Sequence, residues 1–322
     1  MSENWRLFQK WTIRKITFVG ILIAISVVFV IICASLIPIV SVPSYKISFI
    51  GLPVKITGFI FGPIVGGTVG LVADLLSFIF VPNIYNPFYT VATAVDGIIA
   101  GLVGLLFLRL FKYYFDGTMR DSVLEVKISR LFNRIARIKL KNPYSRRIKK
   151  IEDRILYAHE KRKKIRIVGT RNTLLNFYGV ISTLLLAVLV FFIVWLIGFK
   201  IPQSALDGGI VKSRLWLTLL MCSGYSAMIL FVWISRFAMK SKHFMIIIPI
   251  IIFSAFIELI NVPLLSFADT IAYGSEKNSI FIYIFNHTLF SPVKVWFNML
   301  VIYFTYNVIN PLINKNNGIM WK

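Results

Sequence analysis

The chain has 322 residues, of which 57% are hydrophobic and 15% charged, and its mean hydropathy is +0.78. Soluble domains carry about 25% charged residues, so this composition excludes a soluble globular protein. The 36 Lys and Arg against 13 Asp and Glu give a net charge of +23, but long apolar runs separate the cations, which therefore fit the cytoplasmic side of a polytopic membrane protein better than a nucleic-acid surface.

A membrane helix needs about 20 apolar residues, fewer where it is short or buried among neighbours. By that measure the sequence predicts an all-α protein with spans at 13 to 37, 47 to 62, 64 to 81, 89 to 111, 174 to 198, 214 to 238, 244 to 266 and 288 to 311. The first follows a basic head (Lys10, Arg14, Lys15), is longer than a signal-peptide core and is followed by no small-residue cleavage site, so it reads as an uncleaved helix. An even number of spans puts both ends on one side with the Lys- and Arg-rich segments, which by the positive-inside rule is the cytoplasm; the bias toward Lys, Ile, Asn and Phe suggests a bacterial plasma membrane. The opposite loops, 38 to 46, 82 to 88, 199 to 213 and 267 to 287, are poor in cations and rich in Pro, Asn and Tyr. Ligand would meet these outer loops first.

In the third and fourth spans Gly62, Gly66 and Gly70, and then Gly97, Gly101 and Gly104, recur at helical spacing. Flat glycine faces let helices approach closely in lipid, and a phosphate-binding loop would need a preceding strand that is not there. Gly62-Pro63 marks a tight inner turn.

Between the fourth and fifth spans, Lys112 to Arg171 holds 19 Lys and Arg against 6 Asp and Glu. Leu124, Ile128, Leu131, Ile135 and Ile138 recur at helical spacing, as do Ile148, Ile151 and Ile155. Two amphipathic helices lying on the membrane and holding anionic lipid are the expectation. Nucleic-acid binding is set aside because no recognition motif is present.

Charged residues inside spans are functional candidates, because lipid makes them costly. At a rise of about 1.5 Å per residue, Asp74, Asp96, Glu258 and Lys294 lie at one depth below the predicted outer surface. Structural pairing would join Lys294 with Glu258 and Lys55 with Asp74. The alternative is a polar chamber, with Lys294 close to a mouth formed by Asn83, Tyr85, Asn86, Phe88, Tyr89, Asn261, Trp296 and Asn298. Aromatic faces, a few amides and a cation suit a flat, heteroaromatic, anionic ligand. Cys33 and Cys222 lie inside apolar runs and suit neither a disulfide nor a thiolate metal site, and His159, His243 and His287 are too scattered to bind zinc. No catalytic grouping and no nucleotide loop appears, so the chain reads as a non-enzyme that cannot hydrolyse ATP itself.

The stretch GFIFGP, GGTVGLVADLL, VPNIYNPFYT and DGIIAGLVG resembles the substrate-capturing S component of energy-coupling factor (ECF) vitamin transporters, and is most similar to the folate-type members. YKISFIGLP, with Lys46, and the later ELINVPLL and SPVKVWFNMLVIYF are similar to further parts of that family. The resemblance implies a six-helix binding protein for folate or a reduced folate. It also implies a membrane-embedded T component and two cytoplasmic ATPases as partners, with ATP bound there and no cofactor in this chain. Riboflavin, pantothenate and an unrelated gradient-driven carrier are the alternatives. Gly20 and Ala24 stand where the family docks on its T component through small residues, although packing within the chain would explain them equally well. The implied organisation is core helices in 1 to 111, a basic insertion in 112 to 173, two additional spans in 174 to 243, and the last core helices with a cytoplasmic end in 244 to 322; in the alternative, which ELINVPLL and SPVKVWF disfavour, the spans within 174 to 243 complete the core and the last two are added. Residues 113 to 243 are expected to be dispensable for ligand binding.

Overall fold

The computed structural model describes residues 13–36, 51–80, 86–115, 117–168, 171–203, 206, 213–273 and 279–314. The protein is an all-α polytopic membrane protein, with no strand among the described residues. The helices are α1 (Ile13–Leu36), α2 (Leu52–Phe61), α3 (Pro63–Phe80), α4 (Pro87–Leu105), α5 (Lys112–Phe115), α6 (Thr118–Lys141), α7 (Arg146–Val168), α8 (Arg171–Trp195), α9 (Arg214–Ala238), α10 (Ser241–Tyr273) and α11 (Ser279–Asn314). Single π-helical segments extend α4 through Leu106–Phe111 and α8 through Leu196–Lys200. Among the described residues five helical stretches are long and apolar enough to cross a bilayer: Pro63–Phe80, Pro87–Phe115, Asn172–Lys200, Arg214–Ala238 and Ser241–Ala272. Lys15–Val28 and Leu52–Phe61 are shorter apolar helices.

The chain divides into two compact units, one of residues 1–106 and 179–322 and one of residues 107–178. In the first, α2, α3 and α4 pack with backbones almost touching. A Cβ at Gly58 would overlap the Gly97 carbonyl, one at Gly97 would overlap Gly66, and one at Gly101 would run into Pro63. These positions therefore exclude side chains, as the glycine spacing predicts. Gly62, at φ 105°, makes the turn between α2 and α3, a conformation that favours glycine. Helix α1 lies against this block through Val19 and Ile23, which pack on Val54, Val69 and Ala73. Helices α10 and α11 run longer than the hydropathy pattern predicts. Both carry internal prolines, Pro249 and Pro263 in α10 and Pro292 and Pro311 in α11, which membrane helices tolerate where neighbours satisfy the freed carbonyls. Helix α9 seats Gly224 on Pro292 of α11 and hydrogen-bonds through Tyr225 to Ser291 at 2.9 Å.

The second unit is an antiparallel α-hairpin above an aromatic root. At the root Phe115 stacks on Phe177 with centroids 4.1 Å apart, Phe107 meets Tyr178 edge-on at 5.0 Å, and the Tyr178 hydroxyl donates to the Phe107 carbonyl. Ile128 and Ile135 of α6 and Ile148, Ile151, Ile155 and Ala158 of α7 form one buried cluster, with Leu124, Leu131 and Ile138 packed against it. This corrects the expectation that the apolar stripes lie in the membrane: they face each other. The physical reason is their width. Steps of three and four residues make the narrow seam of a coiled coil rather than the broad apolar face that embeds in lipid.

Beside the root, Arg162 and Arg166 grip Asp121, with Arg162 Nε to Asp121 Oδ1 at 2.6 Å and Arg166 Nη2 to Asp121 Oδ2 at 2.9 Å, while Arg162 also reaches Glu125 at 3.1 Å. Hydrogen bonds from Arg162, then from Arg166, hold the Asp121 carboxyl well below the usual carboxylate range. A carboxyl depressed on folding stabilises the fold above its unfolded value and loses that contribution as pH falls toward its folded value. At pH 7 Asp121→Asn therefore speeds amide exchange at both helix ends, around residues 118–125 and 160–168. The difference from the parent protein persists down to the ordinary carboxyl value of 3.8 and narrows below it.

Candidate functional site

Polar residues in the first unit form two tiers about 10 to 12 Å apart along the helices, from the residue spacing and the 1.5 Å rise. The deeper tier is built on α2, α4, α10 and α11. Lys55 Nζ lies 3.5 Å from Asp96 Oδ2, with both side chains 1% exposed. Asn261 Nδ2 donates to Asp96 Oδ1 at 2.6 Å. Lys294 Nζ pairs with Glu258 Oε2 at 3.7 Å, and Asp96 and Glu258 are within electrostatic range of each other. The geometry follows from helical spacing. Glu258 and Asn261 are one turn apart on α10, and Lys294 and Asn298 are one turn apart on α11. The Gly58–Gly97 approach brings Lys55 of α2 to the level of Asp96.

The shallower tier lies at the ends of α4, α10 and α11 that the charge pattern places outermost. Asn86 caps α4, accepting from the Phe88 amide at 3.0 Å, and its Nδ2 donates to the Ala268 carbonyl at 2.9 Å. The Tyr89 hydroxyl donates to Asp269, and His287 Nε2 lies 3.0 Å from the other Asp269 oxygen. Phe88 meets Phe267 edge-on at 5.0 Å. Tyr89, Asp269 and His287 thus tie three helices together at one end.

Of the residues singled out in the sequence, Asp96, Asn261, Lys294 and Asn298 lie in the deeper tier, and Asn86, Phe88 and Tyr89 in or beside the shallower one. The Lys294–Glu258 pair forms as expected. Lys55 does not pair with Asp74. It pairs with Asp96, because residue depth along a helix does not reveal which neighbour the residue faces, and Asp74 instead accepts from the Thr90 hydroxyl at 2.5 Å. Trp296 does not join the tiers: it packs edge-on against Phe231 of α9 at 5.3 Å. Lys46, Asn83 and Tyr85 lie outside the described residues. Gly20 and Ala24 are exposed, and a Cβ at Gly20 would meet nothing within 4 Å, so among the described residues nothing packs closely on this face of α1.

Asp269, Thr288 and Ser291 were missed by sequence reasoning, and His287 was seen only as an isolated histidine. The available signal was the spacing His287, Ser291, Lys294, Asn298, one continuous stripe of α11. Six buried polar atoms on α4, α10 and α11 have no hydrogen-bond partner among the described residues: Asp96 Oδ2, which has only the Lys55 ammonium at 3.5 Å, and Ser254 Oγ, Asn261 Oδ1, His287 Nδ1, Thr288 Oγ1 and Asn298 Nδ2. Native proteins leave few buried polar groups unsatisfied, so such a concentration on three adjoining helices is what a ligand-binding chamber supplies. Next to it a mostly apolar cavity of about 90 Å³ opens between α8, α9, α10 and α11, with Glu258, Thr288 and Ser291 in its wall. Helices α8 and α9 form the remaining wall through Leu189, Ile193 and Tyr225. Removing residues 113 to 243 would strip that wall as well as the hairpin.

Residues 10–126 match the family described as ECF-type riboflavin transporter, S component. The match covers about a third of the chain, from before α1 into α6, and includes Lys55, Asn86, Tyr89 and Asp96. No curated protein and no solved structure matches the chain.

Breaking a buried ion pair by removing one partner leaves an uncompensated charge and costs about 3–5 kcal/mol. Lys55→Met therefore lowers the melting temperature in detergent sharply, and the double change Lys55→Met with Asp96→Leu recovers most of the loss. A double variant no more stable than the single one would show that Lys55 contributes through something other than Asp96.

Proposed function

We propose that the chain is the substrate-binding S component of an ECF-type transporter, which takes a vitamin into the chamber between the two polar tiers and delivers it inward on a T component driven by two ATPases. ATP is bound by those ATPases and not by this chain. The observation that carries the reading is the run of buried polar atoms without a hydrogen bond, Asn261 Oδ1, His287 Nδ1, Thr288 Oγ1 and Asn298 Nδ2, on the two helices that also carry the Lys294–Glu258 pair and the Asn261–Asp96 contact. Amides that offer both a donor and an acceptor, beside an ammonium, complement the alternating carbonyl and ring-nitrogen edge of a pteridine or an isoalloxazine. Family likeness over residues 10–126 supports the same class of protein and names riboflavin. Riboflavin is thus the first ligand to test, with folate, suggested by the sequence motifs, second and pantothenate third.

The test is titration of the purified chain with each vitamin, following flavin fluorescence or calorimetry. One vitamin binds tightly and the others do not. Lys294→Ala, which removes a charge-assisted contact worth about 1.5–3 kcal/mol, weakens it about 10- to 100-fold. A folded chain that binds none of them, or uptake by this chain alone in vesicles with an ion gradient, would overturn the reading.

Docking is separable from binding. The exposed small-residue face of α1, Gly20 and Ala24, is where a T-component helix could approach closely. Gly20→Trp is expected to abolish copurification with the T component and ATPases while vitamin affinity stays within twofold of the parent; loss of both together would move Gly20 from docking to folding.

A further inference from the structure

The α6–α7 hairpin is electrically two-sided. Its seam residues alternate in steps of three and four, so the positions beside the seam can be assigned to sides by helical spacing alone. On α6 Lys127, Arg130, Arg134, Arg137 and Lys141 follow one another in those same steps, and on α7 Arg147, Lys150, Arg154, Lys161 and Lys164 fit the same register with Tyr157 in the gap. In an antiparallel pair of helices, these two stripes flank the seam on the same side. All ten cations are exposed, and no Asp or Glu occupies that side. The five acids of the two helices lie elsewhere: Asp121 at the seam's end, Glu125 and Glu152 flanking the other side, and Asp153 and Glu160 at the back. The α6 stripe alone spans about 21 Å at 1.5 Å per residue.

We propose that this face is a docking surface for the anionic phospholipid headgroups of the membrane that the chain itself spans. Two observations favour lipid over another polyanion. The hairpin follows and precedes apolar stretches long enough to cross a bilayer, Pro87–Phe115 and Asn172–Lys200, with three or fewer residues between each stretch and a hairpin helix. Because both chain ends of the hairpin continue into those stretches, its cations meet headgroups at high effective concentration. The face is also made of two straight parallel stripes, which suits an extended flat charge, and cations near an anionic leaflet are each attracted to it. The attachment is electrostatic, since the isoleucines are already buried in the seam.

The test uses the full chain with Cys33 and Cys222 replaced by Ser, in nanodiscs of phosphatidylcholine with or without phosphatidylglycerol. A polarity-sensitive fluorophore is placed at Tyr157→Cys, on the basic face, or at Leu156→Cys, on the other side; both positions are exposed. With phosphatidylglycerol the label at 157 shifts to the blue and is shielded from acrylamide, and the label at 156 is not. The effect disappears at 1 M salt, where the screening length is about 3 Å. Each cation near an anionic surface adds about fivefold to the partition, so Arg130→Glu, Arg134→Glu and Arg137→Glu together shift it by more than about 100-fold. Lys139→Glu, Lys149→Glu and Lys163→Glu, on the opposite side, leave the signal at 157 in place. Equal responses at 156 and 157, indifference to phosphatidylglycerol, or shielding in neutral discs that appears only when RNA is added would each overturn the assignment.

Discussion

An ammonium and a carboxylate 3.5 Å apart inside an apolar bundle impose the constraint on which the membrane unit depends. Neither Lys55 nor Asp96 can be left alone in such a medium, so α2 and α4 must hold them at one level and α10 must bring Asn261 to the remaining carboxylate oxygen. The glycines make this possible. Because Gly58, Gly66 and Gly97 place backbone against backbone, the relative heights of α2, α3 and α4 are set by main-chain contact, which cannot adjust as side-chain packing can. The ion pair therefore sits on helices held backbone to backbone, and helices α10 and α11 bring their polar stripes to it. Under the proposed binding role such a floor is preorganised, which reduces the ordering cost that a ligand would otherwise meet.

The sequence made the helical class, the Gly62 turn, the glycine contacts and the Lys294–Glu258 pair legible, because each depends on local spacing or on a shared depth. What it did not reveal depends on azimuth. Asp74 and Asp96 are similarly deep, and only the packing of α2 on α4 decides which of them Lys55 meets. Trp296 stands two residues past Lys294 in sequence, but two residues along α11 turn a side chain by about 200°, which takes it to Phe231. Asp269 and His287 were hidden for another reason. Hydropathy trims a helix where polar residues begin, yet α10 continues to Tyr273 and α11 begins at Ser279, so residues assigned to an outer loop lie on helices.

The additional helices are not a remote appendage. Gly224 accepts Pro292 at close range, Tyr225 reaches Ser291, and α8 and α9 wall the cavity beside Glu258. Ser291 sits one turn before Lys294 on the stripe that meets the deeper tier. The basic hairpin and the helix pair that follows it therefore contribute differently: the pair adds packing next to the site, while the hairpin folds on its own seam.

That seam must hold against strong repulsion. Residues 126 to 151 contain ten Lys and Arg and no acid, so like charges crowd the turn end of the hairpin, while the Asp121 clamp neutralises only the opposite end. Close packing of Ile135, Ile148 and Ile151 offsets this repulsion without removing it. Interspersed acids would lower the electrostatic cost, as they do on most exposed helices. Their confinement to the seam's end, the other flank and the back keeps one side uniformly positive, at an electrostatic cost to folding that the proposed anionic surface would offset.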